Sequence, residues 1–437
     1  MSALSQFVGG GGGAGVPVGA MVKMPAPAGV RFMDGAAEYL RCGALTPYTP
    51  AYKAAMSRAP HLRVFGGAAK LSYDRAQIKG DLPTGKFRCY LAHVGGNYVA
   101  FGASPAGASV NWRAAMDSSP WGATSGGSGL CVPRQFARPA VSPTHLVIPY
   151  LNSKIMATSD GKNLRDIGGL PGPSTSGSRG ALAYGDGMWA YLPNNGKFYF
   201  CRGDNPLIQW QSRTHVANGI FYGAAAIGRG RAVFAGKGGG VSLFWASSID
   251  EIASGNMRDI ASLLPKTETA GINDVVYDGN VFLMLGSNGV YRTRDGQSVE
   301  ACDLGLDLRA VNFQVWGGFI PNVQIGDLMT SAHLSTDGQG TAAVSLSGGG
   351  IGSYWQCVLV TRDGGARWTP LYTWTPVTDA NGLPVDDGVV LSWANGHWWY
   401  APTGDRSVWL DLGADLSTPD LVGMRSSFGF GDYARVR

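Results

Sequence analysis

A chain of 437 residues exceeds the usual single-core domain unless its core is modular, and 66 glycines beside only 15% charged residues leave little material for long helices. The net charge of +5 is spread thinly, with no Lys/Arg block and no aromatic RNA-binding motif, which argues against nucleic-acid binding. No window holds about 18 uninterrupted apolar residues, so membrane insertion is not expected and a soluble, all-β chain of many short strands is.

Residues 1–20 read as a flexible arm built on the glycine run Gly9, Gly10, Gly11, Gly12 and Gly13. Glycine loses the most backbone entropy on ordering, so this arm cannot hold a conformation unaided. Val16, Val18 and Met21 follow, and Val16 to Met24 reads as a segment that pairs with the sheet of another chain. The arm lacks the basic and continuous apolar parts of a secretory signal. Residues 21–58 read as a small attachment module, in which GVRFMDGAAEYLRCG places two strand-like runs around Asp34-Gly35.

Residues 59–437 carry a loose repeat: an apolar run, a Gly-containing turn, a second aromatic or β-branched run, then a polar turn. Seven copies centre on Gly96, Thr144, Gly187, Gly230, Gly279, Gly338 and Gly396, at steps of 48, 43, 43, 49, 59 and 58 residues. Such a spacing fits a four-stranded blade, so the expected fold is a β-propeller of seven blades, six or eight remaining open because the first two copies are weak. The C-terminal SSFGFGDYARVR is expected to add a strand beside the first blade and close the ring.

The sixth copy ends in VTRDGGARWTPL, with Thr361, Asp363, Gly365 and Trp368 at a polar turn between apolar strands. Eroded versions stand at Asp160 in TSDGKNL and Asp295 in TRDGQSV, and CRGDNPLIQW keeps Asp204 and Trp210. This pattern resembles the Asp-box of sialidase-like repeats. Its physical logic is structural: a short carboxylate accepts backbone N–H groups, glycine permits positive φ, and the aromatic tucks beside the next strand. Replacing Asp363 or Trp368 by Ala is expected to cost about 1–3 kcal/mol of stability and no activity.

A glycosidase needs paired carboxylates, or a Tyr nucleophile partnered by Glu. The chain has four glutamates, Glu38, Glu251, Glu268 and Glu300, and lacks the Arg-Ile-Pro segment with which sialidases begin their arginine triad. The six histidines show no HxH or HExxH spacing, and the six cysteines no CxxC pair, so neither metal nor cofactor is expected and the thiols are read as buried and reduced. Arg202-Gly203-Asp204 and GKGGGVSL are read as turns. Trp398-Trp399-Tyr400 cannot all face inward on one half-buried strand, so some aromatic surface is expected to be exposed or covered by a partner.

GVPVGAMVKM followed by PAGVRFMDGAAEYLRCGALTPYTPAYKAAM is similar to the opening of tailed-bacteriophage tail and tail-fibre proteins, though GVRFMDG stands where their collar has GW and Cys-Asp-Gly. The resemblance implies a non-enzymatic virion protein of the tail, baseplate or tail fibre, made in the host cytoplasm. Its implied partners are other phage tail proteins, further copies of the chain, and a host surface glycan or protein receptor. A glycan-active hydrolase of propeller fold is the alternative, and an intracellular propeller scaffold a third reading. The glutamate scarcity disfavours the hydrolase.

Overall fold

The computed structural model describes residues 21–25, 31–34, 37–41, 89–104, 107–116, 121–128, 138–149, 154–171, 180–193, 195–214, 221–237, 241–266, 268, 271–286, 289–304, 313–315, 318–320, 333–348, 355–374, 390–401, 410–411, 414 and 430–435. Six four-stranded antiparallel sheets follow one another along the chain, each strand pairing with the next. Blade 1 is Cys89–Val94, Asn97–Ser104, Gly107–Arg113 and Gly122–Ser128. Blade 2 is Ala140–Val141, Leu146–Pro149, Ile155–Thr158 and Arg165–Asp166. Blade 3 is Ala181–Gly185, Met188–Leu192, Lys197–Arg202 and Gln211–Thr214. Blade 4 is Phe221–Gly228, Arg231–Lys237, Val241–Ala246 and Arg258–Asp259. Blade 5 is Ile272–Tyr277, Phe282–Gly286, Val290–Thr293 and Glu300–Ala301. Blade 6 is His333–Thr336, Ala342–Gly348, Trp355–Thr361 and Thr369–Trp374.

Strand composition follows position in the blade. Second strands such as Met188–Leu192 and Phe282–Gly286 are buried at every residue, as expected of continuous apolar runs covered on both faces. Fourth strands such as Gln211–Thr214 and Glu300–Ala301 are exposed at every residue. First strands of neighbouring sheets lie against one another, so apolar strands surround an axis and exposed ones form the rim. Successive meanders arranged in this way make an all-β propeller. Each seam between blades has its own core: Val99 and Ile148 between blades 1 and 2, Trp189 and Ala157 between 2 and 3, Phe198 and Phe234 between 3 and 4. Trp245 and Phe282 join blades 4 and 5, and Leu283 and Leu359 join 5 and 6.

A three-stranded sheet, Val390–Ala394, His397–Ala401 and Leu410–Asp411, follows blade 6. It touches blade 6, where the Ser335 hydroxyl donates to the Leu391 carbonyl, and blade 1, where the Leu91 amide donates to Ser392 Oγ at 3.3 Å. Complete four-stranded blades thus number six among the described residues, against the seven expected. Trp398 and Trp399 are both buried, while the Tyr400 side chain, the third of the aromatic run, lies outside the described residues. Their strand is covered on both faces, so alternation sends Trp398 against Trp393 and Trp399 against Tyr98 of blade 1, at ring separations of 5.4 Å each.

The chain ends are organised differently from expectation. Phe430–Arg435 joins no blade; it is an inner strand of a separate sheet, ordered Met21–Pro25, Phe430–Arg435, Ala37–Arg41, Arg31–Asp34. Val22 lies opposite Tyr433 and Leu40 opposite Ala434, while Arg31–Asp34 pairs antiparallel with Ala37–Arg41, Asp34 opposite Ala37. The C-terminal strand thereby satisfies its backbone groups on both edges, which a place at the rim of blade 1 would not allow. Met21 pairs on one edge with Ala434 of its own chain. Gly9 to Gly13, Val16 and Val18 lie outside the described residues.

Candidate functional site

The Thr-x-Asp-Gly turns follow the third strands of blades 2, 5 and 6. At Asp363 the carboxylate accepts the Thr361 hydroxyl at 2.8 Å and the Arg367 amide at 3.0 Å, while Thr361 Oγ1 accepts the Gly365 amide at 2.9 Å. At Asp160 the carboxylate accepts Thr158 Oγ1, the Lys162 amide and the Asn163 amide at 3.1, 2.8 and 3.2 Å. At Asp295 it accepts the Gln297 amide at 2.8 Å. Partial burial opposes ionisation of Asp160 and Asp363, but backbone amides and the threonine hydroxyls outweigh it and hold both carboxyls below the usual range. Gly365 has φ +77, and Trp368, 2% exposed, fills the seam core between blades 5 and 6.

These turns face the blade before them. Blade 1 reaches the Asp160 turn, where Asn97 Nδ2 donates to the Asp160 carbonyl at 2.9 Å and Thr124 Oγ1 to that of Gly161 at 2.7 Å. Blade 4 reaches the Asp295 turn through Arg231 to the Arg294 carbonyl at 2.9 Å, and blade 5 the Asp363 turn through Arg292 to that of Gly364 at 3.2 Å. The Arg202-Gly203-Asp204 turn of blade 3 is used likewise: its Asp204 carbonyl accepts Ser142 Oγ at 2.8 Å and Thr144 Oγ1 at 3.1 Å, and the Asp204 carboxylate accepts the Tyr184 hydroxyl. Each group is occupied by the fold.

A Tyr–Glu pair of the kind a sialidase-like enzyme would use exists at Tyr291 and Glu268, where the hydroxyl donates to Oε2 at 3.1 Å. Tyr291 is 3% and Glu268 5% exposed, inside the seam between blades 4 and 5, and burial followed by the Glu268 charge raises the Tyr291 pKa. A nucleophile needs the opposite shift and an open face. Burial also pushes the Cys302 thiol up to about 11. Among the described residues no group of three or more His, Cys, Asp or Glu could hold a metal ion, and no helix is long and apolar enough to cross a membrane.

An ion pair joins the start of blade 2 to the first strand of blade 5, and sequence reasoning missed it. Arg138, two residues ahead of the first strand of blade 2, sets its guanidinium against Asp274 in the first strand of blade 5: Nε to Oδ1 at 3.0 Å, Nη2 to Oδ2 at 2.7 Å. The same nitrogen donates to the Leu334 carbonyl of blade 6. Asp274 also accepts the Val275 amide on Oδ1 at 2.9 Å and the Leu334 amide on Oδ2 at 2.7 Å. Tyr90 of blade 1 lies under the guanidinium at 5.9 Å, with His333 of blade 6 edge-on to it at 5.6 Å. Burial alone would lower the Arg138 pKa; the Asp274 charge and hydrogen bonds outweigh it and raise it. The available signal was Asp274 itself, a carboxylate inside the apolar run INDVVY.

No protein-family model and no curated protein matches the chain. Solved structures similar to it include "YCF48 bound to D1 peptide", 11% identical with a TM-score of 0.42 over 77% of this chain and 97% of that one. YCF48 from Cyanidioschyzon merolae gives 12% identity and a TM-score of 0.42 over 76% and 96%. A chain of "Crystal Structure of Mitotic Checkpoint Complex" gives 10% and 0.41 over 74% and 87%. Likenesses this distant assign no function.

Proposed function

We propose that this chain is a non-enzymatic structural protein of a tailed-phage virion, mounted in the tail, baseplate or tail fibre through its terminal region, with a propeller that serves host adhesion or assembly. The observation that carries the reading is the terminal sheet. Strands from near both chain ends share it, and among the described residues none of its strands pairs with a blade, which separates a mounting element from a disc. Its two outer strands, Met21–Pro25 and Arg31–Asp34, each have one edge without a strand partner among the described residues, an arrangement that accepts further strands from tail proteins or other copies of the chain. The similarity of residues 15–56 to phage tail proteins supplies the identity of the partner. We count the three-stranded sheet as a seventh blade, since its turn at Asn395-Gly396 continues the repeat and it touches both blade 6 and blade 1.

The test is whether the chain is present in purified particles, and where labelled antibody places it. A chain beginning at His61 is expected to keep its blades and to be missing from particles. Infectious particles that incorporate this shortened chain would refute the mounting role; particles that never contain the full-length chain would refute the virion reading.

A further inference from the structure

The strand Phe430–Arg435 pairs in the terminal sheet, and among the described residues the early blades meet the late ones through side chains. We propose that Arg138 is a latch across the propeller axis, forked onto Asp274 so that the leading segment of blade 2 is tied to blades 5 and 6 on the opposite side of the ring. The inference is independent of the virion reading.

Three observations carry it. In a ring that counts the three-stranded sheet as its seventh member, blades 5 and 6 are the sheets farthest from blade 2, so a side chain leaving the start of blade 2 and ending on both must cross the centre. Asp274 is a hub rather than a simple counter-ion: both its oxygens are shared between the guanidinium and a backbone amide, one from blade 5 and one from blade 6. Finally, Tyr90 and His333 bring in blade 1 and continue to the three-stranded sheet, His333 Nε2 lying 3.3 Å from the Leu391 carbonyl. Early and late blades therefore meet at one charged point. With the Arg138 side chain 21% and that of Asp274 6% exposed, loss of either partner strands a charge in a poorly solvated place, and lysine could not reproduce the planar fork.

The test compares Arg138→Met, Asp274→Asn, their double variant and Arg138→Lys by thermal unfolding and amide hydrogen exchange. Each single variant is expected to lower Tm, and the double variant to lower it by less than the two singles combined. Exchange at the Leu334 and Leu91 amides is expected to rise about tenfold or more in the singles, because the ring opens without global unfolding. Arg138→Lys should behave as a single variant. Additive Tm shifts, or unchanged exchange at Leu91 on the ring's closing seam, would overturn the latch. Should a single variant fail to fold, the unmutated chain decides: the Leu334 amide must exchange as slowly as the slowest core amides, and faster, local exchange there refutes the proposal.

Discussion

Replacing Trp368 by Ala tests what the polar turns contribute. The indole is buried among Val276, Leu283, Leu285, Val344 and Leu359, residues from two blades. A buried tryptophan hides about 200 Å² of largely apolar surface. At about 25 cal/mol per Å² this amounts to about 5 kcal/mol, an upper bound because the unfolded chain already covers part of it. Large-to-small changes at such sites cost about 3–5 kcal/mol, and we expect that loss for Trp368→Ala, more than the sequence alone implied. Asp363→Ala should cost only about 1–2 kcal/mol, since the carboxylate is exposed and its loss frees the Arg367 amide and the buried Thr361 hydroxyl, which keeps its bond from the Gly365 amide. Equilibrium urea unfolding followed by far-UV circular dichroism, which does not depend on the tryptophan being removed, measures both. A loss below about 1 kcal/mol for Trp368→Ala, or equal losses for the two, would show that the seam is not held by this residue.

Gly365→Ala should destabilise by about 2–4 kcal/mol, because its Cβ would stand 2.6 Å from Leu283 Cδ2 at φ +77, whereas Gly338→Ala, at φ +70 with nothing within 4 Å, should cost about 1 kcal/mol; thermal melts of the pair separate packing from backbone strain. Burial lowers the pKa of His93, and burial together with Arg165 lowers that of His145, so the unfolded chain binds more protons in mildly acidic solution. Stability should therefore fall as pH drops through about 6.5, the ordinary histidine value, and His93→Gln with His145→Gln should flatten that slope. The lowered carboxyls of Asp160 and Asp363 contribute stability that is present above their ordinary range and lost at more acid pH, so Asp160→Asn with Asp363→Asn should blunt a second fall below about pH 4. Deleting Phe430–Arg435 should leave the blades' melting temperature unchanged and expose residues 21–41 to protease; a large drop in melting temperature would place the strand back in the ring.

The repeat was legible because it is written locally. Gly96, Thr144, Gly187, Gly230, Gly279, Gly338 and Gly396 all fall at the turn between the first and second strands of their sheets, where a tight reversal separates two apolar runs. The placing of Phe430–Arg435 was not legible, since its alternation suits any sheet edge and its partners lie some four hundred residues away. That Trp398 and Trp399 are both buried was not legible, because alternation suggests one wet and one dry face, whereas this strand lies between two seams. The Arg138–Asp274 pair escaped for a different reason: its members are separated by 136 residues and belong to no motif, and only the oddity of a carboxylate in an apolar strand pointed to one of them.

The erosion of the Asp-Gly turns from copy to copy follows from what the neighbouring blade reads. At the Asp160, Asp204, Asp295 and Asp363 turns the preceding blade donates to a backbone carbonyl, a group that every sequence possesses. Side chains matter only in so far as they hold that carbonyl in place. Thr158 and Asp160 do so by internal hydrogen bonds, Asp204 does so through Tyr184, and blade 4 replaces the turn by the short helix Ile249–Ser254, capped by Ser248 and reached from blade 3 by Arg202 to Asp250 at 3.3 Å. Several local sequences can thus serve one seam. The seam fixes the position of the turn more tightly than its residues, so the motif complete at Thr361 to Trp368 is cut to Thr-x-Asp-Gly at Thr158 and Thr293 and to an aspartate after a glycine at Asp204.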